Sequence, residues 1–163
     1  MGFYGVQRLS SDEALARKVA GGDRRAFTSI YRRHCSGLYR YCLGSLGDAL
    51  QAQEALERTM RGALKALLQD RRDTALKPWL YRLAHEETGT RSPGAVDQGG
   101  RLSQVQKDLA ELPHPQRGGL LMRELAGLSF EEIGLALRIS PDDAQQTVYE
   151  ARLRMAELRG KPA

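Results

Sequence analysis

The chain has 163 residues, 41% hydrophobic, 28% charged and only 6% aromatic, enough apolar material for one compact domain or two small ones and too much for a disordered tail. No apolar run approaches the about 18 residues that cross a bilayer, and Met1 to Ser11 lack a charged start followed by an apolar block, so a soluble, cytoplasmic protein is expected. The net charge of +5 permits a polyanionic partner without showing one, and all of the surplus lies in residues 1–90, with 15 basic and 10 acidic side chains against 10 of each in residues 91–163.

Helical spacing dominates the first ninety residues. Leu15 and Val19, then Phe27, Ile30 and Tyr31, then Leu38, Tyr41 and Cys42 recur at steps of three or four with charges between them. Asp12, preceded by Ser10 and Ser11, offers a first N-cap, and Gly21-Gly22-Asp23 stops one helix and caps the next. A third helical stretch runs from about Asp48 to Gln69, rich in Ala, Leu, Glu and Arg with one interior glycine, Gly62. A fourth follows Pro78, with Trp79, Leu80, Leu83 and Ala84 on one stripe. Between Thr88 and Gly100 four glycines and a proline gather without apolar periodicity, which reads as a linker.

Beyond it, Ser103 to Glu111 is helical, Pro113-His114-Pro115 is a break, and a helix from about Gln116 to Ala126 ends at Gly127. Ser129-Phe-Glu-Glu132 has the form of a capping box. Ile133, Ala136 and Leu137 make a short apolar face. Ser140 then caps a last helix, with Pro141 in its first position and Asp142 and Asp143 at the positive end of its dipole. That helix keeps Ala144, Val148, Ala151 and Met155 inward. Two short capped helices joined by a tight turn form a helix-turn-helix. The expected fold is all-α: a helical domain at 10–88, a flexible linker at 89–104, and a second small helical domain at 105–160.

In a DNA-reading helix-turn-helix the second helix enters the major groove. Ser140 and the outward residues Asp143, Gln145, Gln146, Tyr149, Glu150 and Arg152 are then the candidate contacts. Glutamine suits adenine edges, and arginine suits guanine or phosphate. Asp142, Asp143 and Glu150 oppose phosphates, and a packed hairpin without DNA stays open as the alternative. Other chemistry finds little support. Cys35 and Cys42 lie two helical turns apart, too far to bridge. His34, Cys35, Cys42 and His85 lack CxxC or HxxxH spacing, so no metal is expected and the histidines read as half-exposed. Trp79 reads as core, whereas Tyr81 is open between packing and base stacking. The pairs Arg24-Arg25, Arg32-Arg33 and Arg71-Arg72 read as solvated faces, the first two within possible reach of a DNA backbone. No phosphate loop or nucleophile motif is present, so neither enzyme nor cofactor is expected.

LPHPQRGGLLMRELAGLSFEEIGLALRISPDDAQQTVYEARLRMAEL, Leu112 to Leu158, resembles region 4 of an extracytoplasmic-function sigma factor, the sigma-70 type subunit of bacterial RNA polymerase. DEALARKVAGGDRRAFTSIYRRHCSGLYRYC, Asp12 to Cys42, resembles the start of that family's region 2, and KPWLYRLAH, Lys77 to His85, its later segment. The resemblance implies a factor that directs core polymerase to specific promoters and starts transcription. The first domain would clamp the polymerase beta-prime coiled coil through Glu54, Glu57 and Arg58. It would hold the melted minus-10 strand near Tyr81, Arg82, His85 and Glu86. The second would bind the beta flap and read the minus-35 duplex. An anti-sigma factor is a further partner that many members of the family have.

Three stretches depart from the family pattern. Gln51-Ala-Gln-Glu-Ala-Leu-Glu-Arg-Thr-Met60 keeps acidity at Glu54 and Glu57 but carries Arg58 where glutamate is usual, a reversal that brings like charges together at a docking surface. Ala84-His-Glu-Glu-Thr-Gly89 has Glu86 in place of asparagine, opposing the electropositive groove that unpaired bases need. Gln145, Thr147 and Glu150 stand where lysine or arginine is common, which predicts weaker and less salt-dependent duplex binding. These departures motivate an alternative: a degenerate sigma-like protein that does not initiate and acts as a decoy or partner-binding regulator. An ordinary helix-turn-helix repressor would need a dimerisation surface, which the sequence does not offer.

Overall fold

The computed structural model describes residues 10–91 and 103–160. Among these residues all regular structure is helical: α1 (Asp12–Ala20), α2 (Arg24–Leu46), α3 (Ala49–Leu68), α4 (Leu76–Gly89), α5 (Gln104–Ala110), α6 (His114–Glu124), α7 (Phe130–Leu137) and α8 (Pro141–Arg159). Local chemistry sets most of the ends. Ser11, Asp23, Asp48, Ser103, Ser129 and Ser140 each accept a hydrogen bond from a first-turn amide, so six of the eight helices carry a side-chain N-cap. Gly47 closes α2 in the left-handed region at φ 70°.

Several helix ends differ from the sequence expectation. α4 begins at Leu76 and carries Pro78 inside its first turn, where a missing N–H removes no intrahelical bond. Its N-cap, Ala75, has no side chain to offer, and Glu13 on α1 supplies the acceptor instead, taking the Leu76 amide at 2.9 Å. α6 likewise begins at His114 with Pro115 in its second position, so only Pro113 of the expected break lies outside the helix. α4 also extends through Gly89, which shortens the expected linker. The rest of that segment, residues 92–102, lies outside the described residues.

α1 to α4 enclose Leu15, Val19, Ile30, Leu38, Cys42, Leu46, Leu67, Leu76 and Leu80, all buried. Tyr31, expected on this apolar face, is instead 43% exposed. α5 to α8 enclose Leu109, Leu120, Met122, Leu128, Ile133 and Val148. The two sets are not separate bodies. α4 packs on α7, and α2 packs on α5 and α6, so the buried residues form one continuous core. Gly44 on α2 allows this approach, because a Cβ there would stand 2.8 Å from the Leu121 side chain.

Candidate nucleic-acid and polymerase interfaces

The helix-turn-helix forms as its sequence requires. Ser129 Oγ accepts from the Glu132 amide at 3.1 Å while Glu132 accepts from the Ser129 amide at 2.8 Å, completing the capping box that starts α7. Arg138 ends α7 in the left-handed region at φ 58°. Gly134 lets the turn close against it, since a Cβ there would meet the Ile139 carbonyl at 2.8 Å. Ser140 then caps α8, accepting from the Asp143 amide at 3.0 Å and donating to Asp143 Oδ2 at 2.7 Å. Ala144, Val148, Ala151 and Met155 face inward as expected.

Gln145, Gln146, Tyr149, Glu150 and Arg152 are exposed along α8, with Tyr149 at 55%. They are not equally free. Glu150 accepts from Gln146 at 2.9 Å and from Gln116 at 3.2 Å, and Arg152 is paired with Glu124 at 2.5 Å. Gln145 and Tyr149 therefore present the least encumbered groups of this surface. Glu124 and Arg152 also stand at the rim of an apolar groove left between α5, α6 and α8, floored by Val105, Leu109, Leu120, Leu125 and Met155.

Glu54, Glu57 and Arg58 lie exposed on α3. Glu54 is paired with Arg91 at 3.0 Å, and Arg58 and Arg91 each approach Glu87 at 3.8 Å. The charge reversal at residue 58 thus has a partner inside the chain, on the last turns of α4. The sequence signal was Glu87 itself, one turn beyond Leu83, although nothing local links it to residue 58.

The α4 candidates sit differently from the expectation. Tyr81 is 3% exposed, edge-on to Tyr41 with ring centres 5.7 Å apart, and burial pushes its hydroxyl up to about 12. Arg82 is 6% exposed. Its Nη1 donates to both Asp73 oxygens at 2.7 and 2.9 Å, and its Nη2 and Nε donate to the Leu135 carbonyl on α7 at 2.7 and 3.2 Å. His85 is half-buried: its Nδ1 is 2.8 Å from the Tyr41 hydroxyl, and its ring stacks on His114 with centres 3.9 Å apart and planes 10° apart. Burial, reinforced by the neighbouring His114 and Arg117, drives the His85 imidazole down to about 3. Of the four, Glu86 alone is exposed. In this arrangement Tyr81, Arg82 and His85 face protein.

Other residues are placed more simply. Trp79 is core at 4% exposure. Both cysteines are free, Cys42 buried and Cys35 half-buried, and burial pushes the Cys42 thiol up to about 12. His34, expected half-exposed, is buried against Asp12 at 2.9 Å. One arginine of two exposed-looking pairs is a tether: Arg33 holds Asp12 at 2.6 Å and Arg72 holds Glu13 at 2.6 Å. Among the described residues no group of histidine, cysteine and carboxylate side chains could hold a metal ion, and no helix is long and apolar enough to cross a membrane.

No family model matches the chain. Curated relatives do. The ECF RNA polymerase sigma factor SigM of Mycobacterium tuberculosis H37Rv is 28% identical, with 98% of this chain and 90% of that protein covered. The ECF RNA polymerase sigma-E factor of Escherichia coli K12 is 26% identical over 87% of this chain and 91% of that one. The RNA polymerase sigma-H factor of Pseudomonas aeruginosa is 24% identical over 86% and 90%. Among solved structures, that of CnrH in complex with the cytosolic domain of CnrY shares the fold, with a TM-score of 0.80, 22% identity, and 92% of this chain and 97% of that chain covered. Motif order, relatives that span nearly the whole chain and a shared fold agree in making the chain similar to the extracytoplasmic-function sigma factors of bacterial RNA polymerase.

Proposed function

We propose that the chain directs core RNA polymerase to specific promoters and starts transcription there, with no catalytic step of its own. The observation that carries this reading is the complete helix-turn-helix, double-capped at α7 and α8, at the end of a chain whose relatives match it along nearly their full length. In the mechanism, Gln145, Gln146 and Tyr149 on α8 meet base edges of the minus-35 duplex, with Arg152 and Ser140 at its backbone. Glu54, Glu57 and Arg58 on α3 meet the beta-prime coiled coil, and the apolar groove between α5, α6 and α8 takes the beta flap. α4, which carries Tyr81, Arg82, His85 and Glu86, then lies at the melted minus-10 strand, with Glu86 exposed and the other three reaching it only where their contacts within the protein give way. The domain limits that serve this division are 10–88 and 105–160. The site of action is the cytoplasm, where an anti-sigma factor is the regulatory partner.

A second reading has its own support. Glu86 is exposed where a strand would lie, Tyr81 and Arg82 are buried, and Arg58 is engaged with Glu87. These favour a degenerate factor that binds a partner and does not initiate. Mixing purified protein with core polymerase separates the two. A co-eluting complex that yields run-off transcripts from a genomic promoter library supports initiation; folded protein that gives neither complex nor transcripts supports the partner-binding reading.

A further inference from the structure

Three side chains from two helices are joined by hydrogen bonds beside the outward face of α8. Gln116 on α6 donates from Nε2 to Glu150 Oε2 at 3.2 Å, and Gln146, one turn before Glu150, donates from Nε2 to its Oε1 at 2.9 Å. Both oxygens of one carboxylate are thus taken by amide nitrogens. α6 packs directly on α8, so the carboxylate is braced from outside its own helix.

The consequence falls on Gln146. A carboxylate only accepts hydrogen bonds, so it can hold a glutamine only by the NH2 end, and the amide oxygen is left at the other end. Among the described residues that oxygen has no partner. Gln146 is exposed in the second turn of α8, while Ala144, Val148 and Ala151 face the core. An unheld glutamine offers both ends of its amide and suits adenine through N6 and N7 together. Held at its nitrogen, Gln146 offers chiefly an acceptor. In the major groove an acceptor finds a donor only at the exocyclic amines, N6 of adenine and N4 of cytosine, because guanine and thymine edges carry acceptors and a methyl group there.

We propose that Glu150 is a positioning residue for base selection: it fixes the Gln146 amide with the oxygen outward, so that α8 takes adenine or cytosine over guanine or thymine at the base that Gln146 meets. This rests on the promoter-reading function above. Glu150 then does more than repel phosphates, and its charge and its hydrogen bond have separable effects.

The test selects duplexes with a randomised segment, using the full chain alone and bound to core polymerase. Wild type is compared with Gln146→Ala, Glu150→Ala and Glu150→Gln, all at exposed positions. Gln146→Ala locates the contacted base as the position where its selection changes. There the wild type should enrich adenine and cytosine about fivefold over guanine and thymine, the ratio that a single hydrogen bond supports. Replacing the amine of that base by hydrogen should weaken wild-type binding by about the same fivefold and leave Gln146→Ala unaffected. Both Glu150 variants remove a negative charge and should bind all duplexes more tightly. Only the glutamine variant can still accept from Gln146. Glu150→Gln should therefore keep the base preference and Glu150→Ala should lose it. Unchanged selection by Gln146→Ala, a preference for guanine or thymine, a preference that survives in Glu150→Ala, or one lost equally in Glu150→Gln overturns the positioning and leaves promoter reading standing. No selection by the wild type, alone or with polymerase, overturns promoter reading and the positioning with it.

Discussion

At His85 and His114 two imidazoles lie face to face with Arg117 beside them, a setting in which added positive charge is poorly tolerated. Burial depresses both, His85 to about 3. In the unfolded chain each returns toward the ordinary value of about 6.5. The unfolded state therefore binds more protons between these limits, so the fold has the full stability this pair allows above pH 6.5 and loses it as pH falls below. From pH 7.5 to 5.5 the folded-to-unfolded ratio should drop about tenfold through His85 alone. Protection factors of α4 amides at the two pH values measure this, and His114→Phe should reduce the dependence; pH-independent protection would remove the pair from the contact. On α8, Gln145 is the least encumbered of the proposed base contacts. Gln145→Ala should weaken binding to a cognate minus-35 duplex by about 1–3 kcal/mol with helicity unchanged, which a fluorescence titration would detect. Arg152→Ala is less clean because it also releases Glu124. None of the long-range pairings was legible in the sequence. Arg82 is bound by a backbone carbonyl, and every residue carries one.

Helix by helix, legibility followed the capping chemistry. Where a serine or aspartate sits beside the helix it starts, as at Ser11, Asp23, Asp48, Ser129 and Ser140, the boundary could be read within a residue or so, because cap and amide are neighbours in the chain. Where the acceptor comes from elsewhere, as Glu13 does for α4, proline was the only local mark, and it misplaced the start by three residues. The same held for α6, whose first turn absorbs His114 and Pro115. The helix-turn-helix was the most legible part, since its cap, turn and inward face lie within about thirty residues. Ser129→Ala removes one half of a reciprocal pair and should cost about 1 kcal/mol, seen as a melting temperature lowered by a few degrees. An unchanged melting temperature would show that packing of α7 on α4 and α8 holds the helix without its cap.

For the molecule as a whole, one continuous core predicts one cooperative unfolding transition by calorimetry. Gly118→Ala, whose Cβ would stand 2.5 Å from His85 Nδ1, should split it into two as the halves uncouple, and a single sharp transition in that variant would mean that they remain joined. The all-α class and the division into two helical sets were visible from periodicity and from the glycine-rich stretch between them. Their mutual packing was not, because surfaces that meet across a linker leave no spacing pattern in either segment. The cap that Glu13 lends to Leu76, across 63 positions, has one more consequence. Burial opposes ionisation of this carboxyl, but the Leu76 amide and Arg72 outweigh it and hold its pKa below the ordinary carboxylate range. On a translating ribosome the acceptor of that cap, Glu13, is made first, so α4 can be finished as soon as it emerges. The first four helices can then assemble before the helix-turn-helix exists, and for that interval of synthesis the face of α4 that the finished chain covers stands open.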